Sequence, residues 1–311
     1  MSELEGVLAV WKPAGFTSHD VVAKIRRILG MKRIGHTGTL DPQVTGVLPL
    51  CLGKATRVVE YMQEMPKEYR ATLRLGLATD TEDLTGKVIE SAVSPRVTEA
   101  EVREVLESFR GVITQVPPMY SAVKVDGKRL YELAREGKTV ERKSREVTIH
   151  EIEMTGFDSS GPYPDISFRV LCSKGTYIRT LCVDIGRALG LPAVMVELTR
   201  TLSAGIPASA CLTFEQIAAL KEAGELEAKL IPADQAIAHL SAHTVTADKV
   251  RPALQGQRLS VRWVSPELKQ PGPVRLYDEQ GFFLGIYGLD ETGAVAPVKV
   301  FADLGEYSQS S

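Results

Sequence analysis

Hydrophobic and polar positions alternate most cleanly over residues 67–76. Tyr69, Ala71, Leu73 and Leu75 fall on one face, and Arg70, Thr72 and Arg74 on the other. A period of two marks a strand with one buried face. Residues 166–172 alternate in the same way, and residues 7–11 (Val-Leu-Ala-Val-Trp) form a short apolar strand. Helical signals lie between such strands. Ser18 is placed to cap a helix running to Leu29, with Gly30 at its end. Thr98 and Glu101 form a capping box before Val102, Val105, Leu106 and Phe109. This alternation of strands and helices continues to about residue 203. Residues 206–237 then predict short helices over 214–220 and 226–230. From about residue 238 the texture is all-β: residues 274–277 and 282–287 flank Asp278-Glu279-Gln280-Gly281, and Asp290-Glu291-Thr292-Gly293 leads into 295–301. The pattern predicts a mixed domain over residues 1–237, a small β domain over 238–305 and a tail over 306–311.

Composition narrows the class. The chain has 311 residues, 44% hydrophobic and 24% charged, as in an ordinary soluble protein. No uncharged stretch approaches a membrane span, and the apolar run near the start is too short for a signal peptide. Cys51, Cys172, Cys182 and Cys211 lack metal-ligand spacing and read as buried thiols of a cytoplasmic protein. The formal charge of −2 argues weakly against a nucleic-acid partner, but the total conceals a patch. Residues 120–145 carry Lys124, Lys128, Arg129, Arg135, Lys138, Arg142, Lys143 and Arg145 against four acids, with Tyr120 and Tyr131 interleaved. That mixture suits an RNA backbone with exposed bases. A solvated helix face with salt-bridged neighbours is the alternative. The β region over 238–303 is charge-neutral and identifies no ligand.

The candidate chemistry centres on residues 35–46, Gly-His-Thr-Gly-Thr-Leu-Asp-Pro-Gln-Val-Thr-Gly. Asp41 is the only charged side chain between Arg33 and Lys54. Cations at both ends favour its ionised form, which suits a nucleophile or base. Pro42 stiffens the loop after it. An Asp that only caps a turn is the competing reading. Other motifs fail. Gly53-Lys54-Ala55-Thr56 lacks the glycine spacing and the hydroxyl of a phosphate-binding loop, and His239 and His243 lack the glutamate of a zinc protease. No metal or cofactor is expected. Residues 173–179 (Ser-Lys-Gly-Thr-Tyr-Ile-Arg) join a strand to a helix running to Leu189. With Thr176 as N-cap, Arg179 opposes the helix dipole at a cost of about 0.3–1 kcal/mol. A bidentate pair with a carboxylate would offset that cost; a tolerated exposed arginine is the alternative. Tyr69, on its apolar face, is either a core tyrosine or one at a pocket edge.

Together these segments resemble the TruB family of tRNA pseudouridine synthases, which modify uridine 55 in the T loop. Gly35-His36-Thr37-Gly38-Thr39-Leu40-Asp41-Pro42 is the strongest. It is joined by Thr45-Gly46, Leu52-Gly53-Lys54-Ala55-Thr56, Lys12-Pro13, Gly15, Thr17-Ser18, Lys67-Glu68-Tyr69-Arg70, Thr79-Asp80-Thr81 and Lys174-Gly175-Thr176-Tyr177-Ile178-Arg179. Five ordered segments of this kind, covering nearly the whole chain, are far more specific than any one of them.

The resemblance implies an α+β fold with a central, largely antiparallel mixed sheet flanked by helices, plus a small PUA-like RNA-binding domain. It implies Asp41 as the catalytic aspartate, Tyr69 stacked on the target uracil and Arg179 paired with Asp41. His36 would hold the rearranged T loop and Tyr177 would line the site. The Lys12-Pro13 segment would be a structural support. Residues 115–146 would be an RNA-gripping insertion that uses Lys124, Lys128, Arg129 and Arg142. The expected partner is the T arm of tRNA, bound by a monomer with no obligatory protein partner. A guide-RNA-dependent catalytic subunit and a non-catalytic RNA-binding or tRNA-folding protein are the rival readings.

Overall fold

The alternating segment becomes a strand, Lys67–Leu75, in which every second residue is buried. Its neighbours are decided by which other segments share its period. In a computed structural model describing residues 4–121, 123–125, 127–138 and 140–310, it lies at the middle of a long sheet. The strand order is Gly6–Lys12, Thr45–Leu52, Ala193–Ser203, Lys67–Leu75, Asp165–Cys172, Arg145–Asp158 and Gly111–Gln115. Only Thr45–Leu52 and Ala193–Ser203 pair in parallel; the other neighbours in this order run antiparallel. The sheet is therefore mixed and largely antiparallel, with helices against it.

Two helices, Glu99–Ser108 and Ile178–Ala188, cover the inner strands through Val102, Leu106, Leu181 and Ile185. Helices Ser18–Leu29 and Phe214–Glu222 cover the Gly6–Lys12 end through Val21, Ile25, Phe214 and Ile217. Gly6–Lys12 is buried on both faces. Leu8 and Val10 belong to that helical layer, while Val7 and Ala9 pack with Ile286 and Phe301. This explains why residues 7–11 read as a continuous apolar run rather than an alternating one. Ile286 lies in a second, five-stranded sheet, and Phe301 directly follows its last strand. Its order is Val264–Ser265, Ala242–Val245, Pro273–Tyr277, Phe283–Leu289 and Val295–Val300.

Three local expectations change. Thr17, not Ser18, caps the first helix: its hydroxyl accepts from the Asp20 amide at 3.0 Å, and the Asp20 carboxylate accepts from the Thr17 amide at 2.8 Å. Ser18 is thereby freed to turn inward. Residues 226–230 form only a short 3₁₀ turn, Glu227–Lys229. The cap of the Ile178–Ala188 helix is Tyr177, so Arg179 is its second residue. Thr176 spends its hydroxyl on the Ser173 carbonyl at 2.9 Å instead.

One cross-sheet row positions the site. Arg200 lies opposite Gly46 in the parallel register and opposite Tyr69 in the antiparallel one. Gly46 has φ +117°, and a Cβ there would stand 2.1 Å from the Arg200 carbonyl oxygen. Only glycine lets the two strands approach this closely. Gly46→Ala combines strained backbone with a backbone clash. It is expected to cost about 3 kcal/mol or more and to lower the thermal midpoint. A melting temperature within a degree or so of the parent would contradict this account.

Candidate active site

The loop from His36 to Thr45 has little apolar surface of its own, so side chains from other segments hold it. Ser18 accepts from the Leu40 amide at 2.9 Å. Lys12, fully buried, donates to the carbonyls of Pro42 at 2.9 Å, Val44 at 2.6 Å and Pro13 at 3.0 Å. The Gly15 amide also donates to the Pro42 carbonyl at 2.9 Å. Asp41 is thus carried on a loop pinned on both sides. Burial pushes the Lys12 ammonium down to about 8, against the opposing pull of Asp41.

Arg179 meets this loop from the helix start. Its side chain is buried, and its Nε lies 3.0 Å from the Asp41 carboxylate in an ion pair. The pair is not the bidentate fork expected. The two terminal nitrogens go to backbone carbonyls, Nη1 to Thr81 at 2.9 Å and Nη2 to Tyr120 at 2.7 Å. Three acceptors from three segments offset the unfavourable helix-dipole position. Asp41 keeps 44% side-chain exposure and lines two adjoining clefts. One, of about 1110 Å³, includes His36, Asp80, Tyr120 and Tyr131; the other, of about 370 Å³, includes Thr37, Tyr69, Tyr177 and Arg200.

The smaller cleft has an unusual wall. Tyr69 is buried, which pushes its phenol up, while the Arg200 guanidinium beside its hydroxyl pulls the other way. Lys67 donates to the carbonyls of Gln63 at 2.9 Å and Met65 at 3.0 Å, and burial near Arg200 pushes it down to about 8. Tyr177 is clamped through its backbone. Its amide donates to Gln115 Oε1 at 3.0 Å, and Gln115 Nε2 donates to its carbonyl at 3.2 Å. Arg145 stands over its ring at 4.5 Å, within cation–π range. His36 lies 5.5 Å from His19, ring to ring, with a covered and unpaired Nδ1. Burial and then His19 push its imidazole below the usual range, favouring the neutral ring.

Asp41, Tyr69, Arg179 and Tyr177 therefore share one cleft, with His36 on the adjoining side. Of the insertion's described basic side chains, Arg145 lines the smaller cleft, whereas Lys128 and Arg142 line neither. Lys128 pairs with Glu136 at 3.2 Å and Arg142 donates to the Pro117 carbonyl at 3.0 Å. The side chains of Lys124 and Arg129 lie outside the described residues. Four residues at the site were missed as individuals: Thr37, Ser18, Lys12 as the loop's tether, and Arg200. Arg200 had a readable signal, since it follows Leu198 by two on the inward face of a strand.

Solved structures resemble the whole arrangement. A chain of a Cbf5–Nop10–Gar1 complex superposes with TM-score 0.77 at 30% identity, covering 98% of this chain and 87% of that one. A chain of an H/ACA RNP bound to a substrate RNA containing 2′-deoxyuridine gives TM-score 0.74 at 28% identity, covering 96% and 86%. The fold is thus that of RNA-modifying pseudouridine synthases. Residues 26–178 match the profile described as TruB family pseudouridylate synthase (N terminal domain). Residues 179–238 and 241–301 match two TruB C-terminal profiles. The chain is 45% identical over 302 residues to tRNA pseudouridine synthase B of Oceanobacillus iheyensis, covering 96% of this chain and 98% of that protein. It is 42% identical over 307 residues to that of Bacillus subtilis, covering 97% and 99%. The chain belongs to the TruB family of pseudouridylate synthases.

The tether makes a pH prediction. Lys12 titrates near 8 folded and near 10.5 unfolded. Below 8 both states hold the proton, and the full penalty of the buried charge is present. Between these values the unfolded state binds more protons, so stability rises with pH. The stability gap between the parent and Lys12→Met should therefore widen by about 1–3 kcal/mol between pH 7.5 and 10, read by urea denaturation. A gap independent of pH would refute the assignment.

Proposed function

We propose that this chain isomerises uridine 55 in the T loop of tRNA to pseudouridine, acting alone as a cytoplasmic monomer. The observation that carries the reading is the Arg179–Asp41 pair at the mouth of a cleft walled by Tyr69, in a chain of this family. Asp41 breaks the N1–C1′ bond of the flipped nucleotide, by bonding to C1′ or by removing the C2′ proton. Arg179 aims it. Leaving the stack costs the base a few kcal/mol, and stacking on the Tyr69 ring returns about 1–3 kcal/mol. The hydroxyl of Tyr69 takes part in proton transfer from C5. His36 supports the rearranged T loop, and Tyr177 lines the pocket. Isomerisation loses no group and changes no oxidation state.

The insertion over residues 115–146 grips the RNA backbone through Lys124, Lys128, Arg129 and Arg142. The sheet after residue 238 forms a PUA-like RNA-binding domain, followed by a tail from residue 306. Identity of 42–45% over nearly the full length of proteins named tRNA pseudouridine synthase B favours this reading. The guide-RNA-dependent alternative rests on neighbours at 28–30%. No helix among the described residues is long and apolar enough to cross a membrane.

Incubation with unmodified tRNA transcripts, followed by pseudouridine mapping, tests the reaction and its position. Modification elsewhere than the T loop, or none, would overturn the proposal. Asp41→Asn should fall below about a tenth of the parent rate with little change in tRNA affinity, because phosphate contacts dominate binding. Changing Lys124, Lys128 and Arg129 to Ala together should flatten the salt dependence of binding. Each lost phosphate contact removes about 0.7–0.9 from the log–log slope; an unchanged slope would mean that these cations do not touch phosphates.

A further inference from the structure

A buried guanidinium requires an acceptor or a counter-charge, and Arg200 is short of both. It is 1% exposed, the largest fully buried side chain among the described residues. Its Nε donates to the Val47 carbonyl at 2.8 Å, and the Tyr69 hydroxyl is beside it. Its Nη2 is covered and has no partner, and no ion pair satisfies it among the described residues. Lys12 and Lys67, also buried, lie within its field. The one carboxylate facing this wall, Asp41, is already paired with Arg179. Removing an ion from water costs several kcal/mol even after relaxation.

Thr37 adds to the imbalance. It is wholly buried, lines the same cleft as Arg200, and its hydroxyl also lacks a partner. A buried polar group left unpaired bears its desolvation cost without return. Two residues with unsatisfied polar atoms, and a surplus of positive charge, line the cleft where Asp41 and Tyr69 meet. Such a wall is complementary to negative charge that is absent from the resting protein. Pre-set donors aimed at charge that develops during reaction are a major source of catalysis.

The proposed reaction generates that charge, and the inference rests on that reading. When N1–C1′ breaks heterolytically, its electron pair leaves with uracil and spreads over N1, O2 and O4. C1′ is completed by a new bond to Asp41, or by the alkene formed when Asp41 takes the C2′ proton. Rejoining forms C5–C1′ and frees Asp41, which in the second route returns its proton to C2′. C5 loses a proton, N1 gains one, and no atom is lost. We propose that Arg200 and Thr37 form an anion hole that donates to the uracil oxygens while the base is detached. Tyr69 is the cross-strand neighbour of Arg200, so a base stacked on its ring lies beside this wall. Arg200 and Thr37 are then catalytic residues, which lower the barrier to departure without holding the RNA.

The test varies the leaving group. Thr37→Val and Arg200→Lys are compared with the parent on tRNA carrying uridine or 5-fluorouridine at the target. The readout is single-turnover loss of the N1-linked nucleoside, which requires only bond cleavage. Fluorine stabilises the departing anion, so a weakened anion hole should matter less for it. Each variant should slow the uridine substrate about 10- to 100-fold. The fluorinated one should be slowed at least about threefold less, with tRNA affinity unchanged. Thr37→Val should melt no lower than the parent, since it breaks no hydrogen bond; it decides the matter alone if Arg200→Lys folds poorly. Equal slowing of both substrates overturns the inference. So does weakened tRNA binding with an unchanged saturated rate, which would assign the wall to a backbone phosphate. Asp41→Asn, run in parallel, separates the two levels. Its inactivity beside a fully active Thr37→Val sinks the anion hole alone, whereas an active Asp41→Asn sinks the parent reading.

Discussion

The contact between Arg179 and Asp41 is a constraint on three segments at once. A cation at the second position of a helix is locally unfavourable, and a carboxylate on a glycine-rich loop has no reason to hold still. Each is stabilised by the other at 3.0 Å, but only because further contacts deliver them there. Lys12 and Ser18 pin the loop from the first strand and the first helix. Carbonyls of Thr81 and Tyr120 take the rest of the guanidinium. An arginine satisfied in three directions has one orientation, and it fixes where the carboxylate points.

Charge is distributed unevenly around that contact. Lys12, Lys67 and Arg200 are all buried, and they are held mainly by backbone carbonyls rather than by acids. Carbonyl dipoles satisfy the donors of an ammonium or guanidinium but do not neutralise its charge. The result is a positive field beneath a half-exposed carboxylate. It favours the arrival or formation of an anion in the cleft. Stability is given up for this, since apolar residues of similar size would cost less to bury.

The insertion is tied to the same centre. Its two feet, Gln115 and Arg145, are paired in the edge of the sheet, and both touch Tyr177. Tyr120, within the insertion, supplies the carbonyl that holds Arg179. Movement of the insertion on an RNA backbone would therefore reach the arginine and the helix cap directly. A segment that reads from its charges as a binding surface is also part of the frame around the carboxylate.

Local patterning determined the strands at 7–11, 67–76 and 166–172, the Thr98–Glu101 capping box and the β texture of the C-terminal region, because burial of one face selects a period of two or 3.6 whatever lies opposite. Local exceptions marked Asp41 and Arg179, a lone acid in a basic loop and a cation at a helix start, whereas Tyr69 was singled out only by the family resemblance. Other features depended on partners far apart in the chain. The role of Ser18 changed because Thr17 took the cap and left its hydroxyl for Leu40. The single-point Arg179–Asp41 contact replaced a fork because two carbonyls competed for the same guanidinium. Thr37 was silent in the sequence, and Arg200 showed only its inward place in an alternating strand, whose burial waits on the opposing strands that close over it. Only the register that places Gly46, Arg200 and Tyr69 in one row buries that charge. Register is set by the packing of the whole sheet, and no local stretch of chain encodes it.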